Sequence, residues 1–164
     1  MKIDRVAGFL IYVEDIEEGR KFWGDLLGAT FGEPFENPRM GTIGSVARDV
    51  PGMEWVELIE GIPGGVVYNA IQKKGVGLGG LFINVPDFEE ALAEAERKGI
   101  RVVKAIEGGP FMVATLHPKD TRGVFLDLHG PKPAKIDNKK YPFSKIRPVT
   151  GETRKRGVDP SSKK

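Results

Sequence analysis

Alternating apolar and polar positions predict a strand over residues 6–13, and the same pattern returns over residues 78–85. Each predicted strand leads into a segment with helical spacing that opens on an N-terminal capping signal, an Asp followed three positions later by a Glu. The segment VAGFLIYVEDIEE recurs 72 positions later as GLGGLFINVPDFEE, so the chain contains one strand–helix unit twice. A duplication of this kind predicts two half-domains that complete each other.

The apolar segments that follow extend each unit into a module. Each helix is expected to bury one apolar stripe and to end at a glycine, Gly28 or Gly99. Three strands are expected after each helix, and a short helix at 66–73 is expected between the modules. The expected stripes are Ile16, Trp23, Leu26 and Leu27 in the first helix and Phe88, Ala91, Leu92 and Ala95 in the second. The expected strands are 29–35, 42–49 and 54–60, then 101–106, 111–117 and 123–129.

Strand parity divides the side chains between two faces of the predicted sheet, because alternate residues point to opposite sides. One face is entirely apolar and is expected to pack against the helices. The other face mixes aromatic and polar groups. Because exposure of clustered aromatic side chains to water is unfavourable, this mixture favours a partly solvated cleft over a solvent-facing sheet. The apolar face carries Phe9, Ile11, Val13, Val56, Leu58, Leu81, Ile83, Val85, Val124, Leu126 and Leu128. The mixed face carries Gly8, Leu10, Tyr12, Trp55, Glu57, Ile59, Gly80, Phe82, Asn84, Phe125, Asp127 and His129.

These patterns predict an α+β fold in which two βαβββ modules, 4–60 and 76–130, form a curved mixed sheet around one cleft. The predicted domain covers residues 1–130. The composition, 40% hydrophobic and 29% charged, is that of a folded protein. No run of about 18 apolar residues and no signal-like segment is present, so a cytoplasmic protein without membrane association is expected. The lack of cysteine excludes a disulfide framework, thiolate zinc sites and a cysteine nucleophile.

The net charge of +2 conceals a division along the chain. Residues 131–164 contain 11 Lys or Arg against 3 Asp or Glu, whereas residues 1–130 contain 14 against 20. This basic, Pro-rich segment lacks apolar periodicity and is expected to be a solvated extension whose first half, with Tyr141, Phe143 and Ile146, docks on a folded surface. A strap over a partner subunit and a weak polyanion contact are the alternatives. Nucleic-acid binding is not expected, because no aromatic-basic sheet motif or recognition-helix pattern accompanies the charge.

Several motifs carry a resemblance to a known family. The paired modules and the helix end FWGDLLG match broadly, and ELIEG, KKGVGLGGLFINVPDFEEAL and HPKDTRGVFLDLHG match more locally. Over residues 4–130 the chain resembles the vicinal oxygen chelate superfamily, which includes glyoxalase I, bleomycin-resistance proteins, extradiol dioxygenases and methylmalonyl-CoA epimerase. The local motifs are most similar to the epimerase branch.

The resemblance also implies a metal site with four ligands, usually His, Glu or Gln, His and Glu. The matching positions here are Gly8, Glu57, Gly80 and Asp127. Glycine cannot coordinate a metal through a side chain, and two carboxylates are poor ligands for Zn, Ni or Co. We therefore expect no metal cofactor, and we interpret the glycines as widening the floor of the cleft, with close strand packing as the alternative. Two alternatives to a metal-free protein remain. A hard ion could bind weakly to the two carboxylates, or a metal could bind a rearranged site of Glu57, Asp127 and His129.

The two retained carboxylates are the candidate catalytic groups. The epimerase resemblance implies proton exchange at the carbon next to a thioester carbonyl, with Glu57 and Asp127 as acid and base; their alternative role is to position a ligand. Lys119 and Arg122, in a turn predicted at HPKDTRG, are expected at the mouth of the cleft, where they would meet a phosphate or carboxylate of a CoA-like substrate. Lys119, Arg122, Arg48 and backbone amides are the candidates to stabilise an enolate oxygen. The other expected ligand-binding residues are Gly8, Leu10, Tyr12, Trp55, Gly80, Phe82, Asn84, Phe125 and His129.

Three functions remain open from the sequence. The first is an isomerase or lyase that acts on a small carbonyl compound, with an acyl-CoA thioester as one candidate, by carboxylate acid–base chemistry without the usual metal. The second is a non-catalytic binder of a small apolar or aromatic molecule, as the bleomycin-resistance members are, typically as homodimers with shared clefts. The third is a scaffold whose basic extension recruits a partner. We favour the first, because both carboxylates are retained, and we expect a homodimer.

Overall fold

The computed structural model describes residues 1–38, 40–108, 111–132 and 147–149, with side chains omitted at 104–108 and 147. In these ranges helices separate runs of mostly antiparallel strands, which is the predicted α+β class. No helix in these ranges is long and apolar enough to cross a membrane. The elements are β1 (Arg5–Val13), α1 (Ile16–Leu27), β2 (Phe35–Asn37), β3 (Thr42–Ala47), β4 (Trp55–Gly61), α2 (Val66–Lys74), β5 (Gly77–Asn84), α3 (Phe88–Arg97), β6 (Val102–Gly108), β7 (Phe111–Leu116), β8 (Phe125–Pro131) and β9 (Arg147–Pro148).

The contacts of the chain divide it into two compact units. Unit one consists of residues 1–10 and 79–145, and unit two consists of residues 11–78 and 146–164. The chain passes from unit one to unit two within β1 and returns within β5. Each unit contains one of the duplicated helices, α3 in unit one and α1 in unit two.

Unit one contains the strand order β6-β7-β8-β5. β7 is antiparallel to both of its neighbours, whereas β8 runs parallel to β5, with Ile83 opposite Leu128. Partners in a ladder point to the same side, and here that side carries α3. The predicted stripe of the second helix is therefore confirmed, and so is the apolar face at Ile83, Val85 and Leu128, against which Leu81 and Leu126 pack. The core is formed by Ile83, Val85, Phe88, Ala91, Leu92, Ala95, Met112, Ala114, Leu116 and Leu128.

Val124, which was assigned to the apolar face, is not in the core. Val124 is 39% exposed and precedes β8, which begins at Phe125 rather than at residue 123. The turn after β7 continues to Gly123, whose amide donates a hydrogen bond to the carbonyl of Pro118 (2.6 Å). Because the turn extends to Gly123, the strand begins only after Val124, and Val124 takes no part in the β8 ladder.

Both duplicated helices begin where the capping signals predict. The Asp15 carboxylate accepts hydrogen bonds from the amides of Glu17 and Glu18 (2.8 and 2.9 Å), and the Asp87 carboxylate accepts one from the amide of Glu90 (2.9 Å). These bonds satisfy amide groups that the first turn of a helix leaves without an intrahelical partner.

The buried face of α1 is narrower than predicted, although the helix ends at Gly28 as expected. Ile16 is 2% exposed, but Leu26 is 62% exposed. The buried face instead includes Gly19, where an added Cβ atom would lie 2.9 Å from Val13 Cγ1. Glycine at this position allows α1 to approach the end of β1 closely.

Unit two contains the strand order β4-β3-β2-β9, in which all neighbours are antiparallel. α1 and α2 pack against β4. The strand predicted over residues 29–35 begins later than expected: β2 covers Phe35–Asn37, and Phe31 makes only an isolated bridge to Ala47. Pro34, which has no amide hydrogen to donate, separates the bridge from the strand.

The basic extension contributes one strand to unit two. β9 pairs with β2, with Arg147 opposite Glu36, and the Glu36 side chain is 1% exposed. This part of the extension therefore covers an edge of the sheet in its own chain. The predicted docking residues Tyr141, Phe143 and Ile146 lie outside the described residues.

Candidate functional site

The predicted site residues belong to both units. Unit two holds Tyr12, Trp55 and Glu57, of which each side chain is half-buried. The others belong to unit one, on β1, β5, β8 and the turn before β8. They are Gly8, Leu10, Gly80, Phe82, Asn84, Lys119, Arg122, Phe125, Asp127 and His129.

Asp127 and His129 lie two positions apart on β8, on the face opposite to α3, and each is 5% exposed. On β5, Phe82 is the partner of Asp127 and Asn84 is the partner of His129. The ring centroids of Phe82 and His129 are 5.2 Å apart. The polar residues of this face are therefore buried beside an aromatic ring, and a solvent-facing sheet is excluded at Phe82, Asp127 and His129.

β7 adds a polar residue that reasoning from the sequence missed. Thr115 is the partner of Asp127 in the antiparallel β7–β8 pair and is 2% exposed. Thr115 Oγ1 and Asp127 Oδ1 are both buried, and neither atom makes a hydrogen bond within the described part of the chain. Unpaired buried polar atoms are uncommon in folded proteins and mark sites with a functional role or a partner that is not protein. Parity was the available signal, since residues 111, 113 and 115 of the predicted strand share one face.

The structure gives Gly80 a packing role. A Cβ atom added at Gly80 would lie 2.6 Å from the carbonyl oxygen of Phe125 and 2.8 Å from Phe125 Cβ. Side chains do not approach backbone this closely, so the contact between β5 and β8 requires glycine. The interpretation that Gly80 widens the floor of a cleft is therefore wrong, and close strand packing is correct at this position.

In unit two, Glu57 lies beside a glycine on the neighbouring strand. A Cβ atom added at Gly44 would lie 3.2 Å from Glu57 Oε1 and 2.7 Å from the ring of Phe35. The lack of a side chain at Gly44 therefore leaves room for a carboxylate beside an aromatic ring. Two positions before Glu57, the ring of Trp55 lies 5.3 Å from the guanidinium of Arg48. Phe35 and Gly44 were not predicted as site residues, although a glycine within a strand is a signal of close approach.

Lys119 and Arg122 lie in the turn between β7 and β8, as predicted, and both are exposed. Asp120 anchors this turn: its carboxylate accepts two hydrogen bonds from the Arg101 guanidinium (both 2.9 Å) and one from the Arg101 amide (3.0 Å). These hydrogen bonds hold the pKa of Asp120 well below its usual range. The backbone of Arg122 is left-handed (φ 61°), a conformation uncommon for residues other than glycine. The turn is therefore ordered, and both cations are accessible.

The residues at the implied metal positions do not fit a transition metal. Gly8 and Gly80 contribute no side-chain donor, and Gly80 has no room for a larger residue. Among the described residues, no group of three or more His, Cys, Asp or Glu side chains is arranged to hold a metal ion. This finding gives no support to the rearranged set of Glu57, Asp127 and His129.

Solved structures share this fold at low sequence identity. Methylmalonyl-CoA epimerase from Mycobacterium tuberculosis is 24% identical with a TM-score of 0.68, over 80% of this chain and 90% of that chain. A variant of the Streptomyces coelicolor epimerase in complex with 2-nitronate-propionyl-CoA is 21% identical with a TM-score of 0.66, over 80% of this chain and 100% of that chain. Identities this low show a shared fold, and the predicted fold class is confirmed.

Sequence comparisons give the family. Among curated protein sequences, no significant match to this chain is found. The profile described as the Glyoxalase/Bleomycin resistance protein/Dioxygenase superfamily matches residues 9–114, which is more than half of the chain. The chain therefore belongs to the glyoxalase, bleomycin resistance protein and dioxygenase superfamily.

Proposed function

We propose that this protein is an isomerase or lyase that moves a proton on the carbon next to a carbonyl group, with acyl-CoA thioesters as its substrate class. Asp127 and Glu57 are the proposed acid–base groups, and the reaction proceeds without the divalent metal of the superfamily. Lys119 and Arg122, exposed in the turn before β8, receive the phosphates of the CoA group.

The observation that carries this proposal is the buried Asp127 Oδ1 atom, which makes no hydrogen bond within the described residues. Burying a carboxylate oxygen without a donor is unfavourable, and a catalytic role is one of the reasons why such a group occurs. A carboxylate oxygen that has no donor among the described residues is available to accept a proton from a substrate carbon. Asp127 is paired with Phe82 on β5 and is 5% exposed, so water has little access to it.

The relatives support the choice of substrate class. Methylmalonyl-CoA epimerases are among the proteins with a similar fold, and one of them binds a nitronate derivative of propionyl-CoA. Methylmalonyl-CoA is therefore the first substrate to test. Glu57, half-buried on β4 beside Phe35, is the second carboxylate that this chemistry needs.

The test is the uptake of solvent deuterium at the carbon between the two carbonyl groups of methylmalonyl-CoA, followed by NMR. General acid–base groups contribute about 10²–10⁴-fold to rates, so Glu57→Gln and Asp127→Asn are each expected to lower kcat by about 100-fold or more. KM changes little, because both substitutions preserve side-chain shape. The control is Glu89→Gln, an exposed carboxylate on α3, which is expected to leave kcat unchanged. Wild-type kcat in either site variant would refute the assigned roles.

The proposed independence from metal has its own measurement. Exchange is expected to continue at the same rate after treatment with a chelator and dialysis. A loss of exchange that Co²⁺ or another divalent ion restores would show that the reaction needs a metal.

A non-catalytic binding protein is the second candidate, and the aromatic environment favours it. Phe82 is 2% exposed and contacts the ring of His129, an apolar wall suited to an aromatic or aliphatic ligand. A wild-type protein that performs no exchange, yet gains thermal stability from a small aromatic compound or thioester, would favour binding over catalysis.

A further inference from the structure

Two neighbouring polar atoms in unit one lack a partner in the described part of the chain. Thr115 Oγ1 and Asp127 Oδ1 are buried and make no hydrogen bond there. The two residues are directly opposite each other on β7 and β8, so their Cβ atoms lie about 5 Å apart on one face of the sheet. Since α3 covers the other face, this pair does not belong to the apolar core.

The two atoms have complementary hydrogen-bonding properties. A threonine hydroxyl donates one hydrogen bond, whereas an ionised carboxylate only accepts. Valine would fill the position of Thr115 with the same shape and without a buried hydroxyl that has no partner among the described residues, so packing alone does not require threonine here. A donor beside an acceptor matches a ligand that carries an electron-rich oxygen next to an acidic C–H group. A carbonyl compound with a hydrogen on its α-carbon has this arrangement.

We propose that Thr115 donates the hydrogen bond that stabilises the carbonyl oxygen of the substrate as it becomes an enolate. The inference rests on the proposed function and supplies the group that the sequence left unassigned. Lys119 and Arg122 are exposed in the turn, and the guanidinium of Arg48 lies over Trp55, whereas Thr115 lies beside Asp127. A preorganised donor in a buried site stabilises developing charge more strongly than one in water.

The step is balanced without an oxidant or reductant. Asp127 takes the proton from the α-carbon, and the electrons of the broken C–H bond form the carbon–carbon double bond of the enolate. The π electrons of the carbonyl group move to its oxygen. The Thr115 O–H bond remains intact and donates to that oxygen. Return of a proton to the carbon reverses the movement of electrons.

The experiment compares the full-length wild type with Thr115→Val, which removes the hydroxyl, and Thr115→Ser, which retains it. Removing one donor to a developing oxyanion costs about 10²–10³-fold in rate, so Thr115→Val is expected to lower kcat on methylmalonyl-CoA by that factor with little change in KM. Thr115→Ser is expected to recover most of the rate. Unchanged kcat in Thr115→Val would overturn the inference.

Thermal stability separates this role from a structural one. The control is Ser45→Ala, since the buried Ser45 hydroxyl donates a hydrogen bond to the Gly32 carbonyl (2.6 Å). Ser45→Ala is expected to lower Tm, because it removes a satisfied bond, whereas Thr115→Val is expected to keep or raise Tm. A fall in Tm for Thr115→Val as large as that for Ser45→Ala would show that the Thr115 hydroxyl stabilises the fold, and would contradict the proposed catalytic role.

The failure of the proposed activity is distinguishable from the failure of this inference. If the wild type performs no exchange, the activity is refuted, and binding of 2-nitronate-propionyl-CoA, whose planar anionic group resembles an enolate, decides the role of Thr115. Calorimetry is expected to show affinity reduced in Thr115→Val and restored in Thr115→Ser. Equal affinity in all three proteins, or no binding by the wild type, would overturn the inference.

Discussion

Gly80 and Gly44 lie on different strands, and atoms of a phenylalanine occupy the space beside each glycine. The backbone and Cβ atom of Phe125 occupy the space beside Gly80, and the ring of Phe35 occupies the space beside Gly44. At Gly44 the same lack of a side chain makes room for the Glu57 carboxylate. These glycines therefore shape the surroundings of the candidate carboxylates through packing.

Replacement of Gly80 by Ala tests this packing role. Gly80→Ala is expected to lower the free energy of unfolding by about 1–3 kcal/mol, because the added methyl group would overpack the contact between β5 and β8. Gly32→Ala is the control, since its added Cβ atom would lie 3.5 Å from the carbonyl oxygen of Val46, an ordinary contact. Urea denaturation of both variants measures the difference. Equal unfolding free energies would mean that β5 and β8 move apart at little cost.

The turn between β7 and β8 is ordered by one side chain from outside it. Asp120 binds both the guanidinium and the amide of Arg101, which directly precedes β6. Since β6, β7 and β8 are consecutive strands of unit one, this ion pair joins the beginning of the three-stranded segment to its last turn. Lys119 and Arg122 depend on that anchor for their position.

The Asp120 anchor predicts a pH dependence of stability. The hydrogen bonds from Arg101 lower the pKa of Asp120 in the folded protein, so the unfolded chain binds the proton more readily. The resulting stability is fully present above the usual Asp value of 3.8 and is lost as pH falls below it. Asp120→Asn is therefore expected to lower Tm at neutral pH, with a difference from wild type that shrinks below pH 3.8. Asp25→Asn, on the exposed side of α1, is the control, and a constant difference across pH would contradict the assignment.

The basic extension differs from the rest of the chain in charge and pairs with it through one strand. Segment 131–164 has a net positive charge, whereas residues 1–130 have a net negative charge. The strand β9 of this segment pairs with β2, which lies at the end of the β4-β3-β2 ladder. Uncovered edge strands promote association between sheets. Through β9 the extension covers an edge of the sheet in its own chain, and a strap over a partner subunit stays a prediction.

Truncation distinguishes these two roles of the extension. Deletion of residues 133–164 removes β9 and is expected to lower Tm and increase aggregation, because it uncovers β2 and the buried Glu36. Deletion of residues 151–164 retains β9 and is expected to match the full-length protein. Light scattering measures the oligomeric mass of each form. Dissociation of an oligomer on removal of residues 133–164 would instead favour the partner-subunit strap.

The local elements were predictable because their signals are local. Capping by Asp15 and Asp87, the apolar stripe of α3 and the turn at HPKDTRG depend on residues a few positions apart, which periodicity and turn chemistry detect. The α+β class follows from the order of these elements and their repetition, and the resemblance of the motifs indicated the superfamily. The misplaced boundaries, at β2 and at Val124, lie where a proline or a longer turn interrupts the alternation.

The chemical environment of each site residue could not be predicted from the sequence, because it depends on which strands are neighbours and on the register in which they pair. From the sequence, Gly80 was interpreted as a position that had lost a metal ligand, whereas the structure shows that it packs against Phe125 of β8. Thr115 was not predicted as a site residue, and the β7–β8 pairing places it opposite Asp127. Sequence periodicity assigns a side chain to one face of a strand. Ladder pairing between residues that are distant in sequence then determines the partner of that side chain, and so whether its polar atoms are satisfied.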